Sequence, residues 1–262
     1  MRIIDSHTHI NAEQLYKDRI EVIERAKQAG VTQVINNGDS FESLEVIGKL
    51  AEEFPSFCYS ALGIFPGEGT DDVDADIIKL KSIIKKTKNV VAIGEVGLDY
   101  YWEKDADKKE KQKILFKKQI QLAEELELPL IIHSREADAD TLNILVNSKF
   151  KGNVILHCYG GSFQMANRYL RHNKNVYFGI GGVLTFKNAK KLVEVVQKVD
   201  AAHFVLETDA PYLSPVPYRG VRNEPAYIIK TLEKMAELLN RDKEELAEEI
   251  YQRSLKVYNI YE

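Results

Sequence analysis

Pro129-Leu130-Ile131-Ile132-His133-Ser134 is a short, continuously apolar run that ends on an imidazole. A strand with one face in water alternates apolar and polar residues, whereas a run apolar at every position suits a parallel strand covered on both faces. Val90-Val91-Ala92-Ile93 reads the same way and ends on Gly94-Glu95. Outward from these two runs the rhythm continues in both directions, short apolar segments alternating with longer amphipathic ones as far as about residue 240.

Eight segments read as strands: Ile3 to Asp5, Val31 to Asn36, Phe57 to Leu62, Val90 to Glu95, Leu130 to His133, Val154 to His157, Val176 to Phe178 and Phe204 to Glu207. Helical periodicity fills the gaps, at Ala12 to Ala29, Phe41 to Glu53, Ala75 to Lys86, Lys108 to Leu128, Ala137 to Asn147, Phe163 to Arg171 and Asn188 to Lys198. Gly30 reads as a helix stop, and Asp39-Ser40 and Ser134 as N-caps. Eight strand-then-helix units in roughly 250 residues are the size and rhythm of a closed (β/α)8 TIM barrel. An open doubly wound sheet is the second architecture that this alternation allows. No repeat, Pro-rich linker or low-complexity tract divides the chain, so a single domain over residues 1–262 is expected. An extra amphipathic C-terminal helix, within Arg241 to Glu262, is expected to pack on the outside.

Composition narrows the function. The chain has 36 basic and 40 acidic side chains, a net charge of −4, and is 44% hydrophobic. Such a balance fits a globular protein and excludes a surface that coats nucleic acid or membrane through a broad basic excess. The Lys-rich stretches Lys79 to Lys88 and Lys104 to Lys118 are interleaved with acids and read as solvated helix faces. Two cysteines, Cys58 and Cys158, make no disulfide framework, and neither a signal peptide nor an apolar run of about 18 residues is present. A cytoplasmic location without membrane association is the expectation.

The polar residues at the strand ends carry the chemistry. His7-Thr8-His9, Glu95, His133, His157 and Glu207-Thr208-Asp209 follow five of the eight segments. In a parallel barrel all strand C-termini open on one face, so these residues converge on one mouth. His7 and His9, two apart on an extended chain, face the same side and could share an ion; Glu207 and Asp209 share a face by the same rule. A lone histidine after an apolar run is ordinarily a satisfied polar residue. Here four of the six histidines fall at strand ends, while His172 and His203 fall at a helix end and a strand start and read as structural. Four imidazoles with two or three carboxylates exceed the protein ligands of one catalytic ion, and two ions sharing a carboxylate is the economical arrangement.

These motifs, in this order, resemble the TatD-type metal-dependent deoxyribonucleases of the wider amidohydrolase superfamily. The resemblance spans nearly the whole chain. It rests on Asp5-Ser6-His7-Thr8-His9, Ile93-Gly94-Glu95-Val96-Gly97-Leu98-Asp99-Tyr100-Tyr101, His133-Ser134-Arg135-Glu136-Ala137 and Leu156-His157-Cys158-Tyr159-Gly160-Gly161, and on the segments 207–213 and 217–225. It implies that His7, His9, Glu95 and Asp209 hold one divalent ion and that Glu95, His133 and His157 hold the other, with Glu95 as bridge. Glu207 is then an auxiliary ligand or a group that orients the histidines. The ions could be Mg, Mn, Zn, Ni or Fe. The implied activity is hydrolysis of DNA phosphodiesters, from a strand end, by a metal-activated water, with Asp209 taking its proton.

Arg135, Arg219 and Arg222 are candidate phosphate donors; for Arg222, pairing with Glu224 or capping of the last barrel helix is an equal alternative. Tyr100-Tyr101-Trp102 are candidates for base stacking, Tyr101 foremost, with loop packing as the alternative. Gly160-Gly161 and Gly179 to Gly182 follow strands where barrels bind phosphate, or simply serve turns. One departure from the family pattern is Gly63-Ile64-Phe65-Pro66-Gly67-Glu68, where Phe65 and Gly67 stand in a loop that commonly carries histidines. Two other functions fit the same residues: a di-metal hydrolase of a small amide, lactone or phosphoester, and a non-catalytic metal-binding module.

Overall fold

A computed structural model describes residues 1–261. Eight parallel strands run β1 (Ile3–Thr8), β2 (Val31–Asn37), β3 (Cys58–Ala61), β4 (Val90–Asp99), β5 (Leu130–Arg135), β6 (Val154–Leu156), β7 (Val176–Ile180) and β8 (Phe204–Leu206), paired in sequence order. The sheet is not open. Thr8 bridges Ala210 in parallel, and the Ser6 hydroxyl donates to the Leu206 carbonyl at 2.7 Å, so β8 returns to β1 and a nearly closed barrel results. Helices alternate with the strands: α1 (Glu13–Tyr16), α2 (Arg19–Gln28), α3 (Phe41–Glu53), α4 (Val73–Ile84), α5 (Ala106–Glu125), α6 (Asp138–Ser148), α7 (Phe163–His172), α8 (Lys190–Lys198) and α9 (Ile228–Leu239), followed by α10 (Lys243–Val257).

The continuously apolar strands do face two cores. Leu130 and Ile132 pack outward with the helices, while Ile131 belongs to a second cluster inside the barrel; Ile155 and Val205 divide from their neighbours in the same way. Two residues further along β5, β6 and β8 the inward side chains are His133, His157 and Glu207, so an apolar inner layer supports a polar one by the two-residue period of a strand. On β1 and β4 the spacing is odd: Ile4 and Ala92 lie in the inner apolar layer, whereas His7 and Glu95 lie in the polar one. Both strands carry a register shift at that point, between Asp5 and Thr8 and between Ile93 and Val96. The irregularity resets the parity of the strand and turns the ligand-type residue inward.

Several expectations need correction. Glu95 is not at the end of its strand, because β4 continues to Asp99. The first helical segment is two helices, separated at Lys17 and Asp18. Ser40 caps α3 by accepting from Ser43 N, but Ser134 lies within β5 and α6 begins after Ala137, with no side-chain cap. The C-terminal helix does not simply cover the outside. Tyr251, Leu255, Tyr258 and Ile260 join Ile4, Ile35, Ile131, Ile155 and Val205 in the inner cluster, so α10 and the residues after it plug the end of the barrel opposite the polar layer.

The Lys-rich faces of α4 and α5 are solvent-facing and paired, as in Lys81 with Glu125 and Lys118 with Asp74. Among the described residues no helix is long and apolar enough to cross a membrane.

Candidate metal centre

The polar layer brings His7, His9, Glu95, His133, His157 and Asp209 together, and its centre is the Glu95 carboxylate. Its Oε2 lies 3.3 Å from His7 Nε2 and 3.8 Å from His9 Nε2; its Oε1 lies 2.9 Å from His133 Nδ1 and 2.8 Å from His157 Nε2. Asp209 Oδ1 completes the first side, 3.5 Å from His9 Nε2 and 3.7 Å from His7 Nε2. Asp209 is reached from β8 through a left-handed backbone (φ 54°), held by its N–H donating to the His7 carbonyl at 2.9 Å. Such a conformation costs a non-glycine residue about 1 kcal/mol, and the hydrogen bond to β1 over-determines it.

Two observations test whether these groups suit metal. The Nε2 atoms of His7 and His9 face each other at 3.2 Å, and so do His133 Nδ1 and His157 Nε2. Two imidazoles on one tetrahedral ion, with metal–nitrogen bonds of about 2.0–2.1 Å, stand about 3.3 Å apart. The second observation is the tautomers. His9 Nδ1–H donates to the Asn37 carbonyl at 3.0 Å and His133 Nε2–H to Asp99 Oδ2 at 2.9 Å, so each ring in its neutral form, the form that binds metal, turns its lone pair toward Glu95. Backbone carbonyls and buried carboxylates backing imidazoles in this way set ring orientation and raise basicity at metal sites. The donor set fits a divalent cation.

The electrostatics of the bare chain agree. Burial pulls the Glu95 carboxyl up, but His157, His133 and His7 outweigh it and hold it well below the carboxylate range. Burial disfavours charge on His9 and His133, yet Asp209 with Glu95, and Asp99 with Glu95, lift them to about 9. His7, stacked on His157 at 3.9 Å, is pushed down to about 4 by burial and by its neighbour's charge. Positive charge is therefore favoured on both sides of Glu95.

Glu207 is fully buried beside this cluster rather than in it. Its Oε1 accepts from Cys158 N at 2.6 Å and lies 4.0 Å from His157 Nδ1, while Oε2 has no hydrogen-bond partner among the described residues. Burial raises its pKa well above the ordinary value. Gly179 exists for this carboxylate: a Cβ there would meet Glu207 Oε2 at 2.0 Å. That close approach, rather than phosphate binding, is the physical demand on Gly179. Asp99 was not expected as a site residue. It is 3% exposed, and its signal in the sequence is only an acid closing an apolar strand.

The remaining candidates separate. Arg135, Gly160 and Gly161 line a cavity of about 450 Å³ together with His133, His157 and Asp209. Tyr101 lies against Arg135, its ring centroid 3.8 Å from the guanidinium carbon. Arg219 stacks instead on Phe186 at 3.9 Å and donates to the Ser214 carbonyl, away from the cavity lining. Arg222 is a structural cation, bound to both Asp18 oxygens at 2.7 and 2.8 Å. Phe65 sets its ring at 62° to His133, centroids 4.9 Å apart, and supplies no ligand atom. His203 lies outside the cluster, its Nδ1 bonded to the Val176 carbonyl at 2.9 Å.

A parallel barrel whose C-terminal mouth gathers imidazoles around a shared carboxylate is the architecture of the metal-dependent hydrolases. This chain belongs to the TatD family among them: a sequence model of that family, described as TatD related DNase, matches residues 4–259. It is 39% identical over 259 residues to YabD of Bacillus subtilis, an uncharacterized metal-dependent hydrolase, covering 98% of this chain and 99% of that protein. With the uncharacterized metal-dependent hydrolase TatD of Mycobacterium tuberculosis it shares 34% identity over 250 residues, covering 94% and 93%. The crystal structure of YJJV, a TatD homologue from Escherichia coli, superposes with a TM-score of 0.89 at 29% identity, covering 99% of both chains.

Proposed function

We propose that this protein is a deoxyribonuclease that hydrolyses DNA phosphodiesters from a strand end, with two divalent ions bound on either side of Glu95. The observation that carries the reading is the division of one carboxylate between two imidazole pairs, with Oε2 toward His7 and His9 and Oε1 toward His133 and His157. His7, His9, Glu95 and Asp209 form one ligand set, and Glu95, His133 and His157 the other. Two such ions supply a water of lowered pKa and positive charge to balance an in-line displacement at phosphorus.

The chain's own residues do the rest. Asp209, within 3.7 Å of both His7 and His9, is placed to receive the proton of the attacking water at Oδ1. Burial raises the Asp209 pKa, but the neighbouring imidazoles of His9, His7 and His157 outweigh it and bring it below the ordinary value, which favours the carboxylate form. Asp99 orients His133 through its hydrogen bond, while Glu207 lies 4.0 Å from His157 Nδ1 without bonding it. Arg135, uncommitted to any carboxylate among the described residues, meets the anionic substrate on the cavity wall.

The reading is checked with metal-reconstituted protein on single-stranded oligonucleotides, a small phosphodiester, and panels of amides and lactones. Release of nucleotides, reduced by roughly 100-fold or more in Asp209→Asn with an unchanged melting temperature of the metal-free protein, is the expected result. Turnover of an amide or lactone without nucleotide release would overturn the proposal, and full activity in Asp209→Asn would remove Asp209 as the base.

A further inference from the structure

The wall of the mouth beside β5 carries a group that the metal cluster does not use. Arg135 ends β5 two positions beyond His133, so the two side chains share a face and lie about 6.6 Å apart along the strand. Its guanidinium carbon is 3.8 Å from the Tyr101 ring centroid and 5.7 Å from that of Trp102, and those two rings meet edge to face at 4.7 Å. Trp102 is 73% exposed and Tyr101 41%. The neighbouring acid, Glu136, pairs with Lys104 at 3.2 Å, and among the described residues no carboxylate pairs with Arg135.

This is not a loose loop. One oxygen of Asp99 accepts the backbone N–H groups of both Tyr101 and Trp102 at 2.9 Å, and the other accepts from His133 Nε2 at 2.9 Å. Gln112 grips the backbone of Asp99 from the other side, accepting from its N–H at 3.0 Å and donating to its carbonyl at 3.2 Å. The aromatic pair is therefore tied, through a single carboxylate, to a residue of the metal cluster.

A free guanidinium stacked on one aromatic ring and flanked by an exposed second one presents positive charge next to a π-face. The ligand chemistry that matches is a planar base with a phosphate attached. We infer that Tyr101, Trp102 and Arg135 form a stacking subsite for one unpaired nucleobase, in the nucleotide adjoining the bond that is cut. This rests on the phosphodiesterase reading above and adds to it what the substrate must offer: a base free of its complementary strand, because a base inside a duplex has both faces covered by its neighbours.

Trp102 is the chain's single tryptophan, so its emission reports the subsite directly. The metal-loaded protein is titrated with a cleavage-resistant phosphorothioate dT oligonucleotide, with the same backbone carrying abasic residues, and with the duplex. Quenching by the single strand alone is expected. By anisotropy of a labelled strand, Trp102→Ala and Tyr101→Ala should each weaken binding roughly tenfold, with Trp102→Phe recovering most of the loss and Ile78→Ala, on the exposed face of α4, matching wild type. On cleavable strands the same two variants should raise KM more than they lower kcat. Equal affinity for the abasic and base-bearing strands, with unchanged emission, overturns the subsite while leaving the nuclease intact if DNA is still cut. Failure to bind or cut any oligonucleotide overturns both.

Discussion

Replacing Asp99 by Asn exchanges one atom and should reverse the tautomer of a histidine at the metal centre. In the wild type Asp99 accepts three hydrogen bonds, from the N–H groups of Tyr101 and Trp102 on Oδ1 and from His133 Nε2 on Oδ2. Asparagine has one acceptor oxygen. The two backbone donors demand it, which leaves the amide NH2 facing His133 Nε2. His133 must then accept through Nε2 and carry its proton on Nδ1, the atom that faces Glu95 Oε1 at 2.9 Å and whose lone pair a cation needs. Losing a buried carboxylate behind a metal-binding histidine typically costs 10- to 100-fold in metal affinity, about 1.4–2.8 kcal/mol. On the two-ion proposal the loss should fall on the ion assigned to Glu95, His133 and His157 and spare the one assigned to the His7 side. Calorimetric metal titration should resolve a weakened second site at unchanged first-site affinity, and thermal melting of the metal-free variant should stay near wild type because Gln112 still grips the Asp99 backbone. Two ions bound as tightly as in the wild type would refute the argument.

Chelation tests the cluster as a whole: each of the two proposed ions, present at about 100 times its Kd, would contribute about 2.7 kcal/mol, so EDTA should lower the melting temperature by about 10–20 °C, reversibly on adding metal back. Gly179→Ala places a methyl group 2.0 Å from Glu207 Oε2; an overpacked, buried site should lose about 1–3 kcal/mol in urea unfolding, and Glu207→Ala in the same chain should recover part of it. Binding of single-stranded DNA should depend weakly on salt, at about 0.7 in the logarithmic slope for each phosphate neutralised, because only the mouth is positive; a slope reporting many displaced counterions would contradict a local site.

The eight strands and the identity of the clustered residues are legible in the sequence because both depend on local pattern. Apolar runs covered on both faces announce parallel strands, and an imidazole or carboxylate after such a run is visible without knowing its neighbours. What escaped depends on register. The odd spacing from Ile4 to His7 and from Ala92 to Glu95 is compensated by shifts between strands, and no property of either strand alone specifies them. Asp99 meets His133 because β4 pairs with β5 so that Gly97 opposes His133 and Asp99 opposes Arg135. The plug formed by α10 escaped for a related reason: an amphipathic stripe states that a surface will be covered, and Tyr251 and Tyr258 find theirs inside the barrel only once the strands have closed. Arg219 illustrates the reverse error, since its place in a loop near the mouth did not reveal the Phe186 ring that takes its guanidinium.

On the proposed function, the acidic balance of the chain and an anionic substrate are reconciled at this mouth. Glu95, Asp209 and Asp99 are carboxylates at or beside the cavity, and a phosphodiester approaching them alone would be repelled. The two ions proposed on either side of Glu95 would reverse that field over a few ångströms, a distance within which ordinary salt screens poorly in a partly buried site. Bound cations and a DNA substrate would then favour each other's binding, and the coupling would be reciprocal: the factor by which metal tightens DNA would be the factor by which DNA tightens metal. The outer surface has no part in this, so its paired lysines and acids can leave the chain net negative without opposing the reaction. Among the described residues Arg135 is the only arginine or lysine on the cavity wall, and on the proposed function its seat on Tyr101, rather than against a carboxylate, would keep that charge available to the substrate.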